Sequence, residues 1–173
     1  LTYYNPVFSM GLKDFFGLAK NCGVDGLAVP DLPVEEAEEY KNTADVYGVD
    51  TVFFAAPSTS AGRLKKIIDY ASGFLYLISI FGITGVRERI LDLTTSMIRK
   101  NLPYTEGRVP LAVGFGISKP DHVKTIVDNK ADGVIAGSVL VRIVEKNLEN
   151  MDKMIREIEE KTRELKKATV RRF

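Results

Sequence analysis

The chain has 173 residues, 45% hydrophobic and 27% charged, with a net charge of +1. That length supports one domain with a real core, and the near-balance of charge excludes bulk attraction to nucleic acid or to an anionic membrane. A single cysteine, Cys22, excludes an intrachain disulfide and a cysteine-based zinc cluster; no apolar run reaches the length of a membrane span, so the cytoplasm is the expected compartment.

In chain order, strand-like runs fall at residues 1–4, 26–30, 51–55, 74–79, 111–115 and 133–136. Amphipathic stretches at 11–21, 34–47, 62–70, 86–101, 119–129 and 140–145 alternate with them. The chain enters its first run at Leu1 rather than Met, so sequence upstream is expected to be missing. Pro33 before Val34-Glu35-Glu36 suits the first turn of a helix, with acidic residues at its positive end. Ser58 or Ser60 can cap the next helix, and Ser118 precedes a later one. The last stretch, 150–167, reads as a long helix with Met151, Met154, Ile155, Ile158 and Leu165 as its buried stripe. Glu157–Lys161 is an exposed ion pair at helical spacing on that helix, and the basic end (Lys166, Lys167, Arg171, Arg172) suits a helix C-terminus.

Short apolar strands separated by single helices predict a parallel sheet covered by helices, in one domain spanning 1–173. The strands start at a nearly constant interval, one βα unit each. A (β/α)8 barrel needs eight such units, so six of eight are expected here. An open doubly wound sheet is the architectural alternative.

The most telling local feature is a pair of glycine turns, Gly114-Phe115-Gly116-Ile117-Ser118 and Ala136-Gly137-Ser138. Each follows an apolar run and opens into a helical pattern. Glycine lets backbone N–H groups approach an anion unobstructed, and the helix that follows adds its positive dipole end. Two such turns in consecutive βα units predict a phosphate cradle, the arrangement that barrels place after their last two strands.

Nearly the whole chain, from Leu1 to about Lys167, resembles the alpha subunit of tryptophan synthase. The resemblance is carried by Tyr3-Tyr4-Asn5-Pro6, Gly23-Val24-Asp25-Gly26, Val29-Pro30-Asp31-Leu32-Pro33 with Glu35-Glu36, Ala56-Pro57-Ser58-Thr59, Gly82-Ile83-Thr84-Gly85 and the two glycine turns, in order. It implies a (β/α)8 barrel of the ribulose-phosphate-binding type. The activity implied is a lyase that cleaves indole-3-glycerol phosphate to indole and glyceraldehyde 3-phosphate in tryptophan biosynthesis, without a cofactor. It also implies docking on a pyridoxal-phosphate-dependent beta subunit. Family members place the acid and base carboxylates near the second strand. Aligned on the motifs, this chain begins at the third, so both lie upstream and the chain alone is expected to be inactive.

Residue by residue, the resemblance implies Tyr76 as a supporting catalytic residue in the indole pocket, lined also by Leu1, Ala28 and Phe115. Gly85, Gly116, Gly137 and Ser138 match the phosphate-holding positions, and Thr84 the functional residue of a lid over 79–85. Ile80 and Phe81 depart from the family pattern within that lid. Asn5 and Asp31 lie toward the expected partner face, and Asp31 reads equally well as a helix cap. His122 reads as a surface or capping residue, Cys22 as a small buried residue near a helix end, and no metal-ligand set is apparent. The competing reading is a non-catalytic module that binds a phosphorylated metabolite or the beta subunit. Another phosphate-binding barrel enzyme is a third, which the Val-Pro-Asp-Leu-Pro segment and the Gly-Ile-Thr-Gly lid fit poorly.

Overall fold

The computed structural model describes residues 1–78, 87–114 and 116–170. Two compact units are distinguished: Leu1–Tyr76 with Tyr104–Pro110, and Leu77–Pro103 with Leu111–Phe173.

The first unit runs through α1 (Tyr4–Met10), α2 (Leu12–Asn21), β1 (Gly26–Ala28), a 3-10 turn (Val34–Glu36), α3 (Glu38–Tyr47), β2 (Asp50–Ala55), α4 (Ala61–Tyr70) and the first half of β3 (Leu75–Ile78). Its strands lie in the order β1-β2-β3. β1 and β2 pair in parallel, with Gly26 opposite Asp50 and Ala28 opposite Val52. A line of rings ties the helices to the sheet. Phe16 of α2 meets Tyr40 of α3 at 5.2 Å, Tyr40 meets Phe53 of β2 at 6.4 Å, and Phe53 meets Tyr70 of α4 at 6.2 Å. The Tyr40 hydroxyl donates to the Leu27 carbonyl at 3.4 Å, and burial pushes its pKa well above the ordinary tyrosine value. Ser60 caps α4 as expected, accepting from the Arg63 amide at 3.3 Å.

Two expectations are corrected here. Residues 1–4 form no strand: Tyr3 is extended, but α1 already begins at Tyr4. The strand-like composition is overridden because Asp31, 27 residues away, caps that helix by accepting from the Tyr4 amide at 2.8 Å. Pro6 does no harm there, since first-turn amides lack intrahelical acceptors. Nor is 34–47 one helix. Val34 and Ala37, 2% and 0% exposed, are both buried at a three-residue spacing that a 3-10 turn aligns, and the α-helix starts after Ala37.

The second unit holds the end of β3, α5 (Arg87–Thr105, whose last two residues belong to the first unit), β4 (Leu111–Gly114), α6 (Pro120–Asp128), β5 (Gly133–Ile135), α7 (Ser138–Lys146) and α8 (Met151–Lys167). The strand order is β3-β4-β5, and β4 pairs in parallel with β5 from Ala112 opposite Gly133 to Gly114 opposite Ile135. Asp132 clasps the start of the pair: its carboxylate accepts from the Leu111 amide at 2.8 Å and its own amide donates to the Leu111 carbonyl at 2.9 Å. Leu77, Leu111, Val113, Ile117, Val123 and Ile126 make the core of this unit.

Five strands stand among the described residues, against six expected, the difference being the run at 1–4. Lys119, not Ser118, holds the N-cap position of α6, with Pro120 in its first turn. The expected stripe on α8 is buried at Leu165 and half-buried at Met154 and Ile158, whereas Met151 and Ile155 are 63% and 56% exposed. Glu157 pairs with Lys153 at 3.6 Å and accepts from Asn147 at 2.8 Å, while Lys161 turns to Glu164. Cys22 is exposed rather than buried. Among the described residues no helix is long and apolar enough to cross a membrane, and no group of three His, Cys, Asp or Glu residues could hold a metal ion.

Candidate functional site

In the second unit, the register of β4 and β5 fixes where the glycine turns fall. Gly114 lies opposite Ile135, so Gly116 and Gly137 each stand two residues beyond the same rung of the ladder. The paired strands therefore deliver both turns to one end of the sheet. Gly116 has φ +72°, in the left-handed region that an L side chain occupies only under strain. Gly137 is a different case. It is the N-cap of α7, with φ −117°, and a Cβ added to it would meet nothing within 4 Å. Its contribution is open space in front of the helix rather than conformational freedom.

Ser138 is the first residue of α7 and is exposed. The first-turn amides of a helix have no intrahelical acceptors and carry the positive end of its dipole, so this end of α7 presents N–H donors beside the Ser138 hydroxyl. Arg142, one turn into the same helix, donates its Nε–H to the Ser138 carbonyl at 3.2 Å. The four-residue spacing stacks the two on one helix face. Gly116, Gly137 and Ser138 are thus brought to one end of the β4–β5 pair.

In the first unit, strand alternation sorts the aromatic residues. Phe53 points toward Tyr40 and Tyr70 on the helices, so Phe54 points to the opposite face. Its ring lies 4.9 Å from that of Tyr76, at 30° between planes, and the ring of Phe74 stands 6.5 Å from that of Tyr76. Ala28 shares this face: it is opposite Val52, which is two residues before Phe54 on β2. Leu75, on the covered face of β3, is fully buried, whereas Phe54, Tyr76 and Ala28 are half-buried. Burial raises the Tyr76 phenol above its ordinary pKa. Tyr76 is therefore neutral at physiological pH and can offer a ring face or a hydroxyl, but no anionic base.

At the end of β1, the Thr2 amide donates to the Ala28 carbonyl at 3.1 Å, which sets Leu1 beside Ala28, although Leu1 itself is 89% exposed. Asp31 and Asn5 meet here too, Asp31 through its bond to Tyr4 and Asn5 as the next residue of α1, exposed. Thr84, Gly85 and Phe115, with Ile80 and Phe81, lie outside the described residues.

Residues 1–170 match the family model described as tryptophan synthase alpha chain. The tryptophan synthase alpha chain of Methanocaldococcus jannaschii is 48% identical over 149 residues, covering 86% of this chain and 52% of its own length. That of Pyrococcus abyssi is 44% identical over 95% of this chain and 64% of its own, and that of Arabidopsis thaliana 40% identical over 98% and 60%. Among solved structures, the tryptophan synthase α2β2 complex of Pyrococcus furiosus contains a chain that superposes with a TM-score of 0.86 at 40% identity, over 96% of this chain and 65% of that one. The chain thus spans between about half and two thirds of the length of these relatives, and its α/β fold is that of part of a (β/α)8 barrel.

Proposed function

We propose that this chain, which belongs to the tryptophan synthase alpha chain family, supplies the phosphate- and indole-binding part of a carbon–carbon lyase acting on indole-3-glycerol phosphate. The observation that carries the reading is the paired glycine turns, set two residues beyond one rung of the β4–β5 ladder, with α7 opening at Ser138. Backbone amides there would hold the glycerol-phosphate end through Gly116, Gly137 and Ser138, joined by Gly85. Ala28, Tyr76, Leu1 and Phe115 would receive the indole.

The reaction needs two proton transfers. An acid protonates the indole ring carbon that bears the side chain, and a base takes the proton of the adjacent hydroxyl. The carbon–carbon bond then breaks: its electron pair restores the aromatic indole, and the former hydroxyl carbon becomes the aldehyde of glyceraldehyde 3-phosphate. General acid–base groups contribute about 10²–10⁴-fold in rate. On this reading neither is supplied by the residues of this chain, and both would belong to the part of the longer relatives that it does not match. Tyr76 supports them as a neutral phenol and ring wall, and Thr84 would serve in the lid. On this reading the chain by itself binds ligand and does not turn it over. The partner proposed is a pyridoxal-phosphate-carrying beta subunit, met by the face bearing Asn5 and Asp31, and the compartment proposed is the cytoplasm.

Mixing the chain with a separate fragment carrying the first two βα units of a relative tests the reading. Indole release from indole-3-glycerol phosphate is expected on mixing and from neither piece alone. Association of the two pieces with no indole released would refute it.

A further inference from the structure

The phosphate end of the proposed site depends on where the N-terminus of α7 stands, and α7 is lightly seated. None of the residues Ser138–Lys146 is buried, and the apolar face of the helix, Val139, Leu140, Ile143 and Val144, is only half-buried. The residue that ends it, Asn147, is polar yet 4% exposed. Its side-chain amide donates twice, to the Ile143 carbonyl of α7 at 2.9 Å and to the Glu157 carboxylate of α8 at 2.8 Å. A carbonyl and a carboxylate only accept, so the two hydrogens of an amide suit this place and a second carboxylate does not.

Four residues close a circuit of bonds around the corner between the two helices. The Asn147 carbonyl accepts from the Asn150 amide at 2.9 Å, and the Asn150 side chain caps α8 by accepting from the Lys153 amide at 3.0 Å. Lys153 then pairs with Glu157 at 3.6 Å, one turn on. A hydrogen bond to a charged group is among the stronger kinds, and a buried partner left without it is costly. The helix between Gly137 and Asn147 is a rod about 13 Å long. The chain leaving β5 holds one end of it and Asn147 the other, so a shift at the corner swings the first turn.

We infer, on the phosphate reading proposed above, that Asn147 is a positioning residue: gripped by Glu157, it sets the direction of α7 and so the place of the Gly137 and Ser138 amides. It acts from the far end of the helix and touches no phosphate itself.

The full chain and its variants are titrated calorimetrically with glycerol 3-phosphate, well below their melting temperatures. Asn147→Asp turns a donor into an acceptor facing Glu157 and is expected to bind about threefold to tenfold more weakly. Combined with Glu157→Gln, which lets a glutamine amide donate back across the same gap, it is expected to recover most of that loss. Val123→Ala, at a buried position of α6, is the reference for general loosening: it should melt earlier and keep its affinity. Equal affinity in wild type and Asn147→Asp overturns the inference and leaves the phosphate reading standing. So does a loss that Glu157→Gln fails to repair, or one that Val123→Ala shares. A wild type that binds no glycerol 3-phosphate overturns both. Should Asn147→Asp lose its fold by far-ultraviolet dichroism, Glu157→Ala is read in its place, since it breaks the same bond from α8 without adding a charge. Weaker binding there supports the inference, and unchanged binding overturns it.

Discussion

Replacing Gly137 by aspartate separates anion binding from folding, because the two respond with opposite signs. An added Cβ at Gly137 meets nothing within 4 Å, and the backbone there has a negative φ of −117°, so no strain arises. Gly137 has a helical rather than extended N-cap backbone (φ −117°, ψ −70°), so an aspartate there gains chiefly from its charge facing the positive end of α7, about 0.3–1 kcal/mol. The variant is therefore expected to melt at or slightly above the wild-type temperature. Its carboxylate, however, stands where a phosphate would sit. Two unit charges about 4 Å apart repel by about 1 kcal/mol in water and about 4 kcal/mol near a protein surface. A phosphate carrying nearly two charges should thus lose at least about tenfold in affinity. Calorimetric titration with glycerol 3-phosphate, beside a thermal melt, reads both quantities. Gly137→Ala is the control: it adds the Cβ without the charge, keeps the backbone amides and should bind nearly as wild type. Unchanged phosphate affinity in Gly137→Asp would refute the cradle, and a drop matched in Gly137→Ala would refute the electrostatic account of it.

Other residues give sharper structural tests. Gly116→Ala forces an L side chain to φ +72° and should cost about 1–2 kcal/mol, lowering the denaturant midpoint; an unchanged midpoint would mean that the turn relaxes. Asp31→Ala removes the acceptor for the Tyr4 amide and should cost about 1 kcal/mol, seen as faster amide exchange in α1, whereas Asp31→Asn keeps the acceptor and should exchange as wild type. If the Asn5–Asp31 face also binds a beta subunit through charge, Asp31→Asn should weaken that binding with the helix intact. For Tyr40 the sign runs toward alkaline instability. Its folded pKa is raised above the ordinary 10.0, so below pH 10 both states keep the proton, and above it the unfolded chain ionises first. Stability should fall as pH rises past 10, more gently in Tyr40→Phe; parallel alkaline melting curves in the two proteins would contradict the burial assigned to that phenol.

What the sequence made legible is what local chemistry decides. β2, α2, α4 and α6 follow from apolar periodicity and end residues, and each falls within a residue or so of its expected bounds. The glycine turns were legible for the same reason: a strand run, a glycine and a helical pattern are all local signals. What was misread depends on a distant partner. The run Leu1-Thr2-Tyr3-Tyr4 has strand composition, yet a carboxylate 27 residues away starts a helix at Tyr4. No periodicity within 1–4 could show that.

The same distinction explains Phe54 and Met151. Composition marks both as core residues, since an aromatic in a strand and a methionine on a helical stripe ordinarily pack inward. Burial, however, belongs to a face and not to a residue type. Phe53 and Phe54 are chemically identical and adjacent, but strand alternation sends one under the helices and leaves the other beside Tyr76 with surface to spare. Met151 and Leu165 lie on one stripe of α8, yet the first is 63% exposed and the second 8%. Which of two identical residues becomes core is therefore set by what the neighbouring elements cover. That is why the pairing of Phe54 with Tyr76 emerged only from ring geometry, whereas the glycine turns could be read from spacing.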